Sequence, residues 1–166
     1  MLDVEFISEI AVAHLNGIQN KKKKLEEYYQ QYERSFEMEE TLRSTFVKTL
    51  GEISQVLPNI AKTRWKKKSD FYSLFLCFSA HESCLPLSSN RRAEAQRILM
   101  QLASRVDLAT STEPEPSIES DESAKLYAKN VMRAASDLAS RTMRVDILKR
   151  ELAPVFAEAS TQPANV

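Results

Sequence analysis

Between Glu37 and Leu57 the apolar residues Met38, Leu42, Phe46, Leu50, Ile53 and Val56 with Leu57 fall three or four positions apart, and Pro58 ends the series. That period puts them on one side of an α-helix of about five turns. The proline ring then removes the amide that a further turn would need. A chain carrying such a seam must bury it against other helical faces, and the rest of the sequence supplies them.

Val4, Ile7, Ile10, Ala11 and Leu15 repeat the spacing over residues 3–16, with Gly17 placed to stop that helix. Leu25, Tyr28, Tyr29, Tyr32 and Phe36 mark a second helix over 21–36, with a tyrosine stripe and Asn20 as its cap. The apolar run FYSLFLCFSA at 71–80 belongs to a helix that Ser69 or Asp70 caps and that reaches Ser83, ahead of Pro86. Ser88, Ser89 or Asn90 caps a helix bearing Ala95, Ile98, Leu99, Leu102 and Val106. Beyond the Pro- and acid-rich stretch at 109–121, two more helices are expected at about 122–139 and 141–152.

Two glycines and six prolines in 166 residues leave little of the turn chemistry that hairpins require. The expected fold class is therefore all-α, a six- to seven-helix single-domain bundle centred on the third and fourth helices. Residues 1–108 form its main body and 109–121 an acidic flexible linker. The helices at 122–153 pack on the same bundle, and 154–166 form a frayed tail.

A hydrophobic content of 43% excludes a compositionally disordered chain. The 23 Lys and Arg residues balance 23 Asp and Glu, so no field of the whole molecule marks a nucleic-acid or membrane binder. The ten-residue run at 71–80 falls short of the roughly 20 residues that a bilayer crossing takes. An acidic N-terminus without a signal-peptide pattern, and two cysteines in or beside an apolar helix, point to a cytoplasmic protein.

Charge is nevertheless segregated. Lys21, Lys22, Lys23 and Lys24 would occupy the first turn of the second helix, where unpaired amides already present positive charge and an anion would be welcome. The anion is either a phosphate backbone or nearby glutamates such as Glu26 and Glu27. Lys62, Arg64, Lys66, Lys67 and Lys68 form a second basic cluster around Trp65. Cations beside an indole suit stacking on a base, and an indole closing a core is the other reading.

Cys77, His81 and Cys84 share one helical face, but their spacing supplies no fourth zinc ligand. Two thiols in an apolar helix pack as small hydrophobes. Gly17 and Gly51 cannot build a phosphate loop, no His-Glu-x-x-His occurs, and no metal or cofactor is expected.

The ordered series GIQNKKKKLEEYYQQY (17–32), TRWKKKSDFYSLF (63–75) and SDLASRTMRVDILKREL (136–152) resembles the C-terminal helical part of the GmrSD-type bacterial restriction and phage-defence family, whose N-terminal domain is ParB/sulfiredoxin-like. The family's activity is tied to a D-G-Q-Q-R-like motif in that N-terminal domain, and no such stretch occurs here. The resemblance implies a non-catalytic helical module that supports a ParB-like domain or a separate nuclease or NTPase subunit. Phosphate contacts to DNA are expected from the two basic segments, with Arg141 and Arg144 of the closing helix beside them. The alternative is a helical protein-interaction or homo-oligomerisation domain with no nucleic-acid role.

Overall fold

The structure is a computed structural model that describes residues 4–20, 25–111 and 121–157. Every regular element among these residues is helical: α1 Val4–Asn16, α2 Leu25–Tyr32, α3 Glu39–Val56, α4 Lys68–Ser79, α5 Ser89–Ala109, α6 Glu122–Met132, α7 Leu138–Glu151 and α8 Ala153–Phe156. Short 3-10 turns lie at Ile60–Lys62, Arg64–Lys66 and Glu82–Cys84. Seven helices of eight residues or more make the all-α bundle that the apolar periodicity predicts. The linker residues 112–120 and the tail residues 158–166 lie outside the described residues.

Helix boundaries follow local chemistry. Gly17 adopts φ 84°, a backbone state that costs glycine little and that ends α1 where the sequence predicts. Ser88 accepts the Arg91 amide at 3.4 Å and opens α5; Asp121 accepts the Ala124 amide at 2.9 Å and opens α6. Asn20 turns its side-chain oxygen to the Leu138 amide at 3.4 Å, so it satisfies the first turn of α7. Neither Ser69 nor Asp70 caps α4, which begins at Lys68 with no side-chain cap.

Helix α4 is the centre. Its residues from Tyr72 to Ser79 are all buried, because α1, α3 and α7 pack around it. Much of the α3 seam turns inward as its spacing predicts, with Ile53, Val56 and Leu57 buried and Phe46 packed on Phe75 at 4.6 Å between ring centroids, but the buried face is shifted toward Thr45, Thr49 and Glu52. Thr45, Thr49, Glu52, Ile53 and Val56 are buried while Leu50 is 42% exposed and Met38 46%. On that shifted edge Glu52 receives Arg92 of α5 in a two-point ion pair at 2.7 and 3.1 Å.

Several boundaries differ from expectation. Helix α2 ends at Tyr32, short of Phe36, and α4 ends at Ser79, short of Ser83, with the 3-10 turn Glu82–Cys84 beyond it. The helix expected over 122–139 stops at Met132, and Ala134 takes φ 49° in the turn to α7. That left-handed state cannot continue a right-handed helix. Pro154 starts a new short helix instead of a frayed end, since its missing amide is harmless in a first turn, and Val155 and Phe156 enter the core. Arg105 of α5 reaches both Asp121 at 2.6 Å and Glu151 at 2.9 Å, fastening α6 and α7 to the bundle.

Candidate functional site

The basic cluster of the α3–α4 connector divides. Arg64 is 5% exposed and Trp65 fully buried, whereas Lys66, Lys67 and Lys68 face solvent. Arg64 donates from Nε to Asp70 Oδ2 at 3.2 Å and from Nη1 to Asp107 Oδ1 at 2.9 Å. Its guanidinium lies 5.6 Å from the centroid of the Tyr127 ring. Trp65 donates its indole N–H to the Leu99 carbonyl at 3.2 Å and meets Tyr127 edge-on. Arg64 and Trp65 are therefore interior residues, and neither presents itself to a phosphate or a base. A guanidinium enters a core only with its donors matched, and arginine's planar fork suits that task better than lysine's ammonium.

Asp70 is the hub of this interior set. It accepts the Tyr127 hydroxyl at 3.0 Å as well as Arg64. Burial pushes the Asp70 carboxyl above its ordinary value, against the lowering pull of Arg64 and the Tyr127 bond. Burial likewise drives the Tyr127 phenol well above its ordinary value, and the Asp70 charge adds to the effect. Tyr127 thus remains a donor.

Arg141 and Arg144, expected to stand at a DNA surface, are 6% and 1% exposed. Arg144 donates to Ser73 Oγ at 3.1 Å, to the Asn130 carbonyl at 2.6 Å and to the Ala135 carbonyl at 2.9 Å. It closes the α6–α7 turn onto α4. Arg141 pairs with Glu9 of α1, donates to the Gln19 carbonyl at 3.4 Å and lies 4.5 Å above the centroid of the Tyr72 ring. In this fold their principal bonds are internal.

The fold nonetheless gathers two of the segments that sequence reading kept apart. A cleft of about 190 Å³ between α1, α4 and α7 is lined by Phe6, Glu9, Lys68, Ser69, Tyr72, Ala135, Ser136, Arg141 and Arg144. Lys68 of the connector sits over Phe6, its ammonium 5.7 Å from the ring centroid. Tyr72 is 2% exposed, and its hydroxyl is sealed from solvent without a hydrogen bond of good geometry. Arg141, stacked on the ring, acts on the phenol through its charge and through a weaker polar contact with the hydroxyl. Burial raises the Tyr72 pKa against that pull, so the group is a neutral O–H donor.

Lys21, Lys22, Lys23 and Lys24 lie outside the described residues. Downstream, Tyr28, Tyr29, Tyr32 and Phe36 line a groove of about 320 Å³ against Ser8, Val12 and Leu15 of α1 and Leu42 of α3. The Tyr29 hydroxyl donates to Ser8 Oγ at 2.9 Å. Cys77, His81 and Cys84 do not share one helical face, because α4 ends at Ser79 and Cys84 lies in the following 3-10 turn; Cys77 is fully buried, with its thiol pushed up to about 12 by burial. His81 Nδ1 contacts the Cys77 carbonyl at 2.8 Å and its ring stacks on Phe156. Among the described residues, no group of His, Cys, Asp and Glu could hold a metal ion, and no helix is long and apolar enough to cross a membrane.

Sequence reading missed Glu9, Asp70, Tyr72 and Tyr127 as partners of the arginines. Asp70 carried a usable signal, as an acid entering a long apolar run six residues after an arginine. No family model matches this chain, and neither a curated protein nor a solved structure does.

Proposed function

We propose that this chain is a non-catalytic helical module of a bacterial restriction or anti-phage defence-type protein, cytoplasmic, and that it works by contact with a larger partner. Support for a contact role comes from the way chemistry-bearing side chains are used. Arg64, Arg141, Arg144, Cys77 and His81 are occupied in packing and pairing. The observation that carries the nucleic-acid part of the reading is the division of the connector. Arg64 and Trp65 lock its 3-10 turn into the core and hold Lys66, Lys67 and Lys68 as successive exposed cations on a fixed platform. Such a platform suits sequence-independent contact with a phosphate backbone. The sequence resemblance supplies the partner, a ParB-like domain or a separate nuclease or NTPase subunit.

The test is duplex DNA binding over a salt series. The Lys66→Glu/Lys67→Glu variant should bind more weakly and should lower the log–log salt slope by about two. Unchanged binding removes the nucleic-acid reading.

A second reading, an interaction domain that pairs with another copy of itself, is favoured by the tyrosine groove and the charge pattern beside it. Lys21, Lys22, Lys23 and Lys24 precede a stretch in which Glu26, Glu27, Glu33, Glu37, Glu39 and Glu40 outnumber Arg34. Adjacent blocks of opposite sign can cross-match about a two-fold axis. Size-exclusion chromatography at two salt concentrations, with and without duplex DNA, separates the readings. A dimer with no DNA-dependent shift favours self-association.

A further inference from the structure

We propose that two copies of this chain pair through their tyrosine grooves with the α2 helices antiparallel, the lysines that precede α2 in one copy meeting the glutamates that follow it in the other. The proposal rests on the self-association reading above and gives it an interface and an orientation.

Helix α2 lacks cover of its own. It has eight residues, short of the roughly 12–15 that an isolated helix takes in water, so it depends on what packs against it. Among those eight only Leu25 is buried. Tyr28, Tyr32 and Phe36 form a half-buried aromatic row, with successive ring centroids 6.5 and 4.8 Å apart, along the groove of about 320 Å³. Val4, Ile7, Tyr29 and Met38, on α1, α2 and the lead into α3, are exposed as well. Apolar side chains gathered on neighbouring elements in this way mark an interaction surface.

Charge selects the occupant. Glu26, Glu27, Glu33 and Glu37 face solvent and enter no ion pair among the described residues. Between Leu25 and Leu42 the sequence holds one cation, Arg34, so the rim of the groove is acidic and suits a cationic visitor. A second copy carries one in the right place. Lys21, Lys22, Lys23 and Lys24 directly precede the first residue of α2, and Glu33 directly follows the last. Antiparallel pairing about a two-fold axis through the middle of α2 sets lysines against glutamates twice, whereas parallel pairing would set lysines against lysines. At 1.5 Å per residue α2 is only about 12 Å long. It cannot bury the roughly 800 Å² per partner of a standard interface alone, so Val4, Ile7 and Met38 share in the contact.

Sedimentation velocity of the full chain, without DNA, over a concentration series at low and at high salt is the test. A dimer is expected at low salt and its dissociation at high salt. Two variants, Lys21→Glu/Lys22→Glu/Lys23→Glu/Lys24→Glu and Glu33→Lys/Glu37→Lys, each oppose like charges at both contacts and should weaken the dimer about tenfold or more. Their equimolar mixture should form a heterodimer of near wild-type affinity, because both contacts again join opposite charges. Lys149→Glu/Arg150→Glu, on exposed side chains of α7, should dimerise as wild type does. A monomer at every concentration overturns this proposal and the self-association reading together. A dimer that withstands both reversals, or variants that do not recover on mixing, overturns the antiparallel pairing and leaves self-association through another face. An equal loss in the α7 variant overturns it too, by showing that bulk charge governs the dimer.

Discussion

Tyr127 donates its hydroxyl to Asp70 at 3.0 Å, joining α6 to α4 inside a core from which both side chains exclude water. Since Asp70 also pairs with Arg64, removing the carboxylate leaves a guanidinium that is 2% exposed at its side chain with Asp107 alone to match it and with its Nε donor unpaired. Asp70→Ala is expected to cost about 3–5 kcal/mol, and Tyr127→Phe about 1.5–3 kcal/mol for one bond to a charged acceptor. Urea denaturation of each variant and of the double variant measures these values and their coupling.

The same carboxyl makes stability depend on pH. Burial raises the folded pKa of Asp70 above its ordinary 3.8, so the folded chain keeps a proton that the unfolded chain has already released. The contribution of this group is complete below that value and declines as pH rises through the folded pKa. Denaturation from pH 3 upward should show the stability gap between wild type and Asp70→Asn narrowing with pH. A gap that widens would mean that the Arg64 pairing outweighs burial.

Trp65, the single tryptophan of the chain, reports on the connector. Fully buried and bonded to the Leu99 carbonyl, it should emit in the blue, resist iodide quenching and stay unchanged when duplex DNA is added. An indole that stacked on bases would be quenched by DNA and shielded from iodide only in the complex. Trp65→Phe should cost about 1–3 kcal/mol through lost volume and the lost bond.

Arg144 holds the α6–α7 turn, and the turn holds Ala134 at φ 49°. Arg144→Ala leaves two carbonyls and Ser73 without their donor and is expected to cost about 1–3 kcal/mol for each group that stays buried and unpaired. Ala134→Gly removes the left-handed penalty but adds backbone entropy to the unfolded chain, so a net gain of up to about 1 kcal/mol is expected. Both are read by urea denaturation, and the opposite signs separate a turn that is strained from one that is merely loose.

These arginines also show how far the sequence reaches. The three-and-four spacing of apolar residues was enough to place seven helices, because helical period is a local property and each seam needs only a partner face. Which cations go inward is not local. Arg64 and Lys66 stand two residues apart in one basic run, yet Asp70, Asp107 and Tyr127 draw the first into the core and the second faces water. Two of those partners lie more than forty residues away in sequence. The α6 end was hidden for a similar reason: Arg133, Ala134 and Ala135 read as helix formers, and the bonds that bend the chain there come from Arg144.

The two cysteines should differ sharply in reactivity. Cys77 is fully buried, and its thiol is pushed up from 9.0 to about 12, while Cys84 is part-exposed and holds the Phe156 carbonyl at 3.7 Å. Because the thiolate is the reacting species, a native-state assay with a thiol-exchange reagent near pH 8 should label Cys84 promptly and Cys77 only as fast as the chain opens. The raised thiol also makes a stability prediction. Between about pH 9 and 12 the unfolded chain releases the Cys77 proton and the folded chain keeps it, so this group's contribution falls by about 1.4 kcal/mol per pH unit across that interval. Cys77→Ala should flatten the alkaline limb of the stability curve by that slope, whatever its cost in packing at neutral pH. Equal labelling of both cysteines in the folded chain would place the Cys77 face at the surface and undo the packing of α4 described above.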